Sequence, residues 1–319
     1  MKIAKWALIL IALAAVILSL TNASWIAPKP QGKLILVAHR GTGQPPAPGA
    51  SGDCAGVAIA ASGHNYLENS VHGMKAAAAF GGDALALPVQ RTSDGFIVVF
   101  SDPALDCRTD GSGPVAARTL AELKRLDAGH DYTPDGGRNF PLRGRIGGIQ
   151  SLDEVLSEMR GQRFIFRFVG DDPAAADALA ATYQRAGAKI DPSTGFLGPK
   201  AVTDRVRQLA PEAWVFDPAQ SEACLAGYAR TGWAGLIPAE CRDAVLALPY
   251  DSGWTIWGWP YRFLDRMEGV GAEVMMVASL DANGHPVGLT EPQQLGDVPR
   301  HFRGLLWVEN MYEVGRALN

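Results

Sequence analysis

Short apolar runs alternate with helix-length segments along almost the whole of this chain, and that alternation limits the folds open to it. The runs typical of strands are KLILVA, DALALPV, FIVVF, RFIFRFV, AWVFD, AGLIPA, AVLALPY, EVMMVAS and GLLWVEN. Segments of helical length, such as residues 172–187 and 200–209, separate most of them. The pattern predicts an α/β protein with a single (β/α)8 barrel of the TIM type. An open doubly wound sheet is the alternative, less favoured because no G-x-G-x-x-G joins a strand to a helix.

The composition is that of one globular domain with a full-sized core. Of the 319 residues, 47% are hydrophobic and 19% are charged, so the chain can bury a sizeable core. We predict one barrel domain over residues 33–319. The net charge is −4 and no basic run stands out beyond the first few residues, so nucleic acid is not an expected partner.

Residues 1–23 are typical of a targeting segment. Lys2 and Lys5 precede an apolar run from Trp6 to Leu20, which is the layout of a secretory signal. Fifteen residues at about 1.5 Å each fall short of the roughly 30 Å hydrocarbon layer, although an uncleaved segment reaching Ala23 could act as a signal anchor. We therefore expect an exported protein, either periplasmic or anchored in the inner membrane and facing the periplasm. The segment allows membrane association in the second case.

The four cysteines agree with an oxidising compartment. None of Cys54, Cys107, Cys224 and Cys241 lies in a C-x-x-C pair suited to zinc or redox chemistry. An even number in an exported chain predicts disulfides, with three connectivities open to four cysteines. Cys224 and Cys241 flank one helix-plus-strand unit, which favours a local bridge, and Cys54 would then pair with Cys107. Four buried thiols are the alternative.

The first strand ends in His39-Arg40-Gly41, and a Gly/Pro/Ala-rich loop follows to about Gly63. A loop of this length in a compact domain is usually functional or disordered. Ser70 is a predicted N-cap for a helix through Phe80. The strand DALALPV, the turn TSDG and the strand FIVVF come next.

Several segments in fixed order resemble one enzyme family. They are HRG, then LENS, then LALPVQRTSDGFIVVFSDPALDCRTDGSG, then TLAELKRLDAG, with later likenesses in YTPDGGRNFPLRGRIGGIQSLDEVL and WTIWGWPYRFLDRMEGVGAEV. From about Lys33 to the C-terminus the chain resembles the glycerophosphodiester phosphodiesterases, and within them the exported bacterial members.

The resemblance implies a (β/α)8 barrel that hydrolyses glycerophosphodiesters to sn-glycerol 3-phosphate and an alcohol. It implies a divalent Mg²⁺ or Ca²⁺ ion on three carboxylates at the carboxyl ends of strands, where barrel enzymes place their reactive groups. Two histidines would act as general acid and base, and an arginine and a lysine would hold the phosphate. Such a site stabilises the charge that builds on phosphoryl oxygens.

Four positions keep the residues that the resemblance requires. His39 matches the first catalytic histidine and Arg40 the phosphate arginine. Glu68 and Asn69 match the pair that supports the site, and we assign them with Arg40 to ligand binding. Asp102 belongs to the family framework and is predicted to be structural.

The other positions carry different residues. Ala86 and Pro88 stand where the second strand should supply two metal ligands, and Ser101 stands where the second histidine belongs. Within about one residue of uncertainty, Arg167 falls at the third carboxylate. The metal ligands therefore appear substituted, and we expect no cofactor unless the protein is an active enzyme that holds Mg²⁺ or Ca²⁺.

Two functions remain open from the sequence. One is a catalytically impaired family member that binds a small anionic, phosphate-bearing or polyol ligand through His39, Arg40 and Arg167. The other is an active phosphoric diester hydrolase of lipid metabolism that releases sn-glycerol 3-phosphate. We favour the first, because losing the metal together with an acid-base group removes the main sources of rate.

Overall fold

The computed structural model describes residues 2–50 and 54–318. The described residues do not include Met1, the first residue of the predicted leader, or Asn319, the last residue of the predicted barrel domain. Residues 51–53 of the predicted long loop also lie outside them. Contacts divide the chain into two compact units. The smaller unit contains the residues up to Ile35, Phe216–Val287 and Gln293–Trp307, and the larger unit contains Leu36–Val215, Gly288–Pro292 and the residues from Val308 onward.

Strands and helices alternate along the chain as the sequence predicts. The strands are β1 Leu34–His39, β2 Ala84–Arg91, β3 Ile97–Val99, β4 Gln150–Ser151, β5 Arg163–Phe168, β6 Gly195–Leu197, β7 Trp214–Val215, β8 Val245–Pro249, β9 Glu273–Val277, β10 Ser279–Leu280, β11 Pro286–Val287 and β12 Gly304–Val308. The α-helices are α1 Lys2–Thr21, α2 Val71–Ala79, α3 Leu120–Leu123, α4 Leu152–Glu158, α5 Ala174–Arg185, α6 Lys200–Leu209, α7 Pro218–Thr231, α8 Tyr261–Glu268 and α9 Arg316–Leu318.

The pairing of the strands confirms the predicted fold class. In the larger unit β1 pairs in parallel with β2, β2 with β5, β5 with β6, and β6 with β7. In the smaller unit β8 pairs in parallel with β9, and β9 with β12. These eight strands alternate with helices, and the fold class is α/β with a (β/α)8 barrel.

Three details of the strand prediction are wrong or incomplete. FIVVF is β3, which folds back antiparallel on β2 with Val99 opposite Val89. The Asp94-Gly95 turn explains the reversal, because Gly95 has φ +86° and such dipeptides favour tight hairpins. AGLIPA forms no strand: 3₁₀ turns precede and follow it, and Pro238 cannot extend a ladder. The three-residue strand β6 was not predicted, because it is too short to show a periodicity.

Capping places α2 where the sequence predicts it. The hydroxyl of Ser70 accepts a hydrogen bond from the backbone N–H of Gly73 at 3.0 Å, which satisfies one of the free donors at the helix start. Phe80 is the C-cap, one residue past the last helical position. The capped helix therefore begins two residues after Asn69, which fixes the position of that residue.

The predicted disulfides are confirmed. Cys54 is bonded to Cys107 and Cys224 to Cys241, with Cα–Cα distances of 5.1 and 4.8 Å. The predicted targeting segment contains the helix α1, and most of the described side chains of α1 are exposed. Among the residues that the structure describes, no helix has both the length and the apolar character needed to cross a membrane.

Candidate functional site

The candidate site is built where β1 ends, in the larger unit. Arg40, directly after the strand, has φ +62°, and Asn69 has φ +60°. Both values lie in the left-handed region, where non-glycine residues are uncommon and are held by their surroundings. The backbone supplies that support, because the Arg40 N–H donates to Ala86 O at 2.7 Å and the Asn69 N–H donates to Arg40 O at 2.8 Å. Arg40 and Asn69, both assigned to ligand binding from the sequence, are thus bonded to one another.

Ala86 and Pro88 lie in β2 beside this turn. Ala86 is opposite His39 of β1, and Pro88 is opposite Arg167 of β5. Both side chains are buried. The register therefore places the three positions expected to hold metal ligands on two adjacent strands, next to His39.

Pro88 does not end its strand, although its missing backbone N–H predicts a position at a strand end. It is the fifth of eight residues in β2, and its carbonyl accepts a hydrogen bond from the Phe100 N–H at 3.1 Å. The nitrogen and the carbonyl of Pro88 point to the same side of β2. On that side, the pairing of β2 with β1 ends at Ala86 and its pairing with β3 begins at Val89. A ladder bond is therefore spared in the middle of β2, and proline is tolerated there.

Glu309 is the main residue of the site that the sequence did not single out. It directly follows β12 at the end of the predicted strand GLLWVEN. One carboxylate oxygen lies 2.6 Å from His39 Nδ1, and the other pairs with Arg40 Nη2. An ionised carboxylate can only accept, so His39 donates from Nδ1 and its Nε2 carries the lone pair when the ring is neutral.

Burial and the neighbouring arginines favour the neutral ring of His39, against the carboxylate of Glu309. Burial lowers the pKa of His39 well below its ordinary value, and the positive charges of Arg40 and Arg167 lower that pKa further, while Glu68 opposes them. His39 and Arg40 at the end of β1 and Arg167 in β5 lie on the two strands that flank β2.

Asn69 and Ser101 also meet at the site. The Asn69 amide donates to the Ser101 hydroxyl at 2.8 Å. Asn69 is buried, and its Oδ1 has no hydrogen-bond partner within the described ranges. The buried Arg40 Nε likewise has none. An acceptor and a donor without partners in one small region are the groups that an added polar ligand would satisfy.

Glu68 takes part in a buried network centred on Arg108, a residue that the sequence analysis missed. Arg108 Nη1 donates to Glu68 and, at 2.6 Å, to the hydroxyl of Tyr132, while Arg108 Nε donates to Asp102 at 2.6 Å. Burial works against the charge on Arg108, but Tyr132, Glu68 and Asp102 raise its pKa above the ordinary value. Asp102 is thus a structural partner, as predicted, and Glu68 lies between this network and the site.

In the sequence, the structural role of Arg108 was indicated only by its position next to Cys107. The disulfide to Cys54 fixes the chain beside it, and Gly56 of the same loop segment lies against its guanidinium. The bridge therefore secures the long loop against the network that supports Glu68.

A cavity of about 440 Å³ opens above these groups. Its charged floor is formed by His39, Arg40, Glu68 and Glu309, and its other walls come from Gly43, Gln44, Pro45, Pro46, Gly56, Thr290, Glu291, Pro292, Asn310 and Glu313. A volume of this size is within the range of small-molecule sites.

The residues present do not fit the divalent metal that the resemblance implies. Mg²⁺ and Ca²⁺ require several hard oxygen ligands, whereas Ala86, Pro88 and Arg167 supply none. Within residues 2–50 and 54–318, no group of three or more His, Cys, Asp or Glu side chains is placed to hold a metal ion. The nearby carboxylates of Glu68 and Glu309 are each paired with an arginine.

Part of the chain matches a known protein family. The model of the glycerophosphoryl diester phosphodiesterase family matches residues 61–177. An uncharacterized protein of Mycobacterium tuberculosis is 32% identical over 134 residues, which is 41% of this chain and 44% of that protein. A glycerophosphodiester phosphodiesterase of Bacillus altitudinis is 38% identical over 103 residues, covering 32% of this chain and 38% of that enzyme. The matches span less than half the length of these curated relatives.

Solved structures resemble the whole fold. The glycerophosphodiester phosphodiesterase of Agrobacterium tumefaciens has a TM-score of 0.61 at 18% identity, over 90% of this chain and 100% of that one. A phosphodiesterase of Oleispira antarctica in complex with sn-glycerol-3-phosphate has a TM-score of 0.57 at 16% identity, over 93% and 99% of the two chains. At such identities the likeness shows a shared fold.

Proposed function

Because this chain belongs to the glycerophosphodiester phosphodiesterase family, we propose that it binds a small phosphate-bearing ligand in the cavity above His39, without metal and without appreciable hydrolysis. One observation carries the proposal. Arg167, on the strand beside Pro88, stands where the family pattern calls for a carboxylate, and the retained Arg40 directly follows His39.

Arginine donors support an anionic ligand against the carboxylates of Glu68, Glu291, Glu309 and Glu313 that also line the cavity. Guanidinium groups bind phosphate oxygens through paired N–H donors and need no intervening cation. Arg40 donates one N–H to Glu309, and its buried Nε–H has no acceptor in the part of the chain that the structure describes, so it can bond to an added oxygen. The nearby Asn69 Oδ1 can accept from a hydroxyl of a polyol such as glycerol.

The size of the cavity and the structural comparison support a ligand of the glycerophosphate type. A volume of about 440 Å³ accommodates a small phosphorylated polyol. The Oleispira antarctica phosphodiesterase, which shares this fold, is seen with sn-glycerol-3-phosphate bound. We extend that ligand class to this chain on chemical grounds, because the groups beside His39 complement both a phosphate and hydroxyls.

Weak turnover follows from the groups available for proton transfer. Ser101, which replaces the second histidine, is a poor proton donor near neutral pH, and general acid–base catalysis typically supplies about 10²–10⁴ in rate. Arg40 and Arg167 could stabilise charge on a phosphoryl oxygen, but no group at position 101 assists the departing alcohol. Binding is therefore expected to exceed catalysis.

One observation favours an active hydrolase as the second candidate. His39 is held by Glu309 as a neutral ring with Nδ1–H directed to the carboxylate, which leaves Nε2 able to take a proton from an attacking hydroxyl. If the protein is an active hydrolase, proton transfer would depend on His39, which Glu309 holds in place.

Calorimetry separates the two functions. We expect glycerol 3-phosphate to bind equally well with and without EDTA, and Arg40→Met to weaken binding by about 10–100-fold through loss of charge-assisted hydrogen bonds. Arg205→Met is the matched control, because Arg205 pairs with Asp177 on the surface. Binding abolished by EDTA would contradict the proposal. Release of glycerol 3-phosphate from a glycerophosphodiester, lost in His39→Gln, would establish the second candidate.

We further propose that the protein is exported, in accordance with its N-terminal helix and its two disulfides. Disulfides persist in oxidising compartments and are rare in the cytosol. Thiol alkylation of protein recovered from the periplasmic and membrane fractions should find four blocked cysteines. Recovery in the cytosolic fraction with four reactive thiols would contradict export.

A further inference from the structure

We propose that the smaller unit docks on a lipid bilayer through an aromatic collar, defined as the side chains of Trp25, Trp233, Trp254 and Trp257. All four belong to one compact unit, and together they follow or surround the end of α1. No part of the proposed ligand site involves them, so the inference is independent of the proposed function.

Arg266 of α8 joins the end of α1 to the segments that carry the collar. Its guanidinium donates to Thr21 O at 3.1 Å and to Asn22 Oδ1 at 3.1 Å. It also donates to Gly232 O at 2.9 Å and to the Tyr228 hydroxyl at 2.7 Å. These four bonds hold the exit of the helix against α7 and the turn that follows α7.

The same bonds position the tryptophans. The Asn22 side chain donates to Trp233 O at 2.7 Å, and the Tyr228 hydroxyl donates to Trp257 O at 3.0 Å. The Ser24 hydroxyl accepts from the backbone N–H at the start of α8, which secures the turn containing Trp25. Trp254 lies on the 3₁₀ turn three residues before Trp257. These hydrogen bonds therefore fix the backbone of the segments that carry Trp25, Trp233 and Trp257.

These indoles are unusually exposed for their type. The exposed fraction is 87% for Trp254, 79% for Trp25, 46% for Trp233 and 45% for Trp257, and Leu236 nearby is also exposed. Trp233 and Trp257 are linked through Asn22 and Tyr228 to the same Arg266 guanidinium, so exposed indoles are grouped in this unit. Grouped exposed apolar side chains mark an interaction surface.

The chemistry of α1 selects lipid over protein as that partner. Between Trp6 and Leu20 only Ser19 is polar, and the large apolar side chains that the structure describes are exposed around the helix. A protein groove covers one face of a helix, whereas a helix that is apolar on all sides needs an apolar environment on all sides. Tryptophan is the residue enriched where such an environment meets water. Trp25 lies just after the end of α1, so a bilayer that takes up the apolar residues of α1 from one side would meet the collar at its surface.

Depth-dependent fluorescence quenching tests the proposal on the full chain. The Trp6→Phe variant, which removes the indole within α1, is mixed with phosphatidylethanolamine–phosphatidylglycerol vesicles that carry bromine near the glycerol backbone or near the acyl-chain end. We expect stronger quenching by the shallow bromine, because the collar lies at the headgroup level. Adding Trp25→Ser and Trp254→Ser should lower that quenching by about half, because two of the four collar indoles are gone.

Trp307 is the internal reference, because it is buried and should not be quenched. The serine variants remove exposed side chains, so an unchanged thermal midpoint shows that they are folded. Quenching that is equal with and without Trp25 and Trp254 would overturn the proposal. So would a blue-shifted, concentration-dependent emission without vesicles, which would indicate that another copy of the chain covers the collar.

Discussion

His39 Nδ1 lies 2.6 Å from the carboxylate of Glu309, although 270 positions separate the two residues in sequence. The other oxygen of that carboxylate pairs with Arg40. The Glu309 carboxylate would therefore compete with a bound phosphate for His39 and Arg40. The first prediction follows from this arrangement.

Glu309→Gln should increase the affinity for glycerol 3-phosphate by about tenfold, which corresponds to about 1.4 kcal/mol. The amide oxygen can still accept from His39 or Arg40, but the negative charge that competes with the ligand is removed. Calorimetry measures the effect, with Glu158→Gln as the control because Glu158 pairs with Lys75 on the surface. Unchanged or weaker binding would show that Glu309 does not compete with phosphate.

His39 should make folding stability depend on pH below its ordinary pKa of 6.5. The unfolded chain takes up a proton there near pH 6.5, whereas burial keeps the folded chain from doing so until lower pH. Protons therefore favour the unfolded state, and the free energy of unfolding falls by up to about 1.4 kcal/mol per pH unit on acidification. Urea titrations at several pH values should give a shallower dependence for His39→Gln. Identical slopes for the two proteins would contradict the depressed pKa.

Arg108→Met should lower the free energy of unfolding by about 3–5 kcal/mol, because it leaves the buried Glu68 carboxylate without its cation. Arg205→Met, which breaks the exposed pair with Asp177, should cost no more than about 1 kcal/mol. Chemical denaturation of the two variants measures the difference. Equal losses would mean that the Arg108 network does not carry the stability assigned to it.

The two disulfides should differ in their contribution. Replacing both Cys54 and Cys107 with serine should cost about 4 kcal/mol, and the same change at Cys224 and Cys241 about 3 kcal/mol, according to the chain-entropy relation. The difference arises because the bridged residues are 53 and 17 positions apart. Denaturation of the oxidised parent and the two double variants provides the test. A larger loss at the shorter loop would show that local packing, not loop closure, sets the values.

The sequence predicts the barrel well because its strands and helices are specified locally. The N-cap at Ser70 fixes the start of α2, and the apolar runs of β1, β5 and β8 are long enough to identify. FIVVF was predicted as a strand after the TSDG turn, and β3 confirms it. Its antiparallel pairing with β2 was not predicted, because a hairpin strand and a barrel strand share the same apolar pattern.

The candidate site was predicted in part for the same reason. His39, Arg40, Asn69 and Arg167 lie at strand ends or helix starts, so motif positions locate them. Glu309 and Arg108 act through contacts with residues 270 and 40 positions away, and no local pattern encodes such pairs. A carboxylate directly after the last strand was nevertheless visible in the sequence, and strand ends are where barrel sites collect their residues.

The mutual bond between the left-handed residues Arg40 and Asn69 has a practical meaning for engineering. Their backbone geometry does not depend on the side chains at Ala86, Pro88 and Arg167, so the substituted positions can be changed while this framework is kept. Carboxylates introduced at these three positions would lie on two adjacent strands beside His39. Such variants would measure how many carboxylates this barrel needs to hold a divalent ion, and how phosphodiester cleavage changes with each one added.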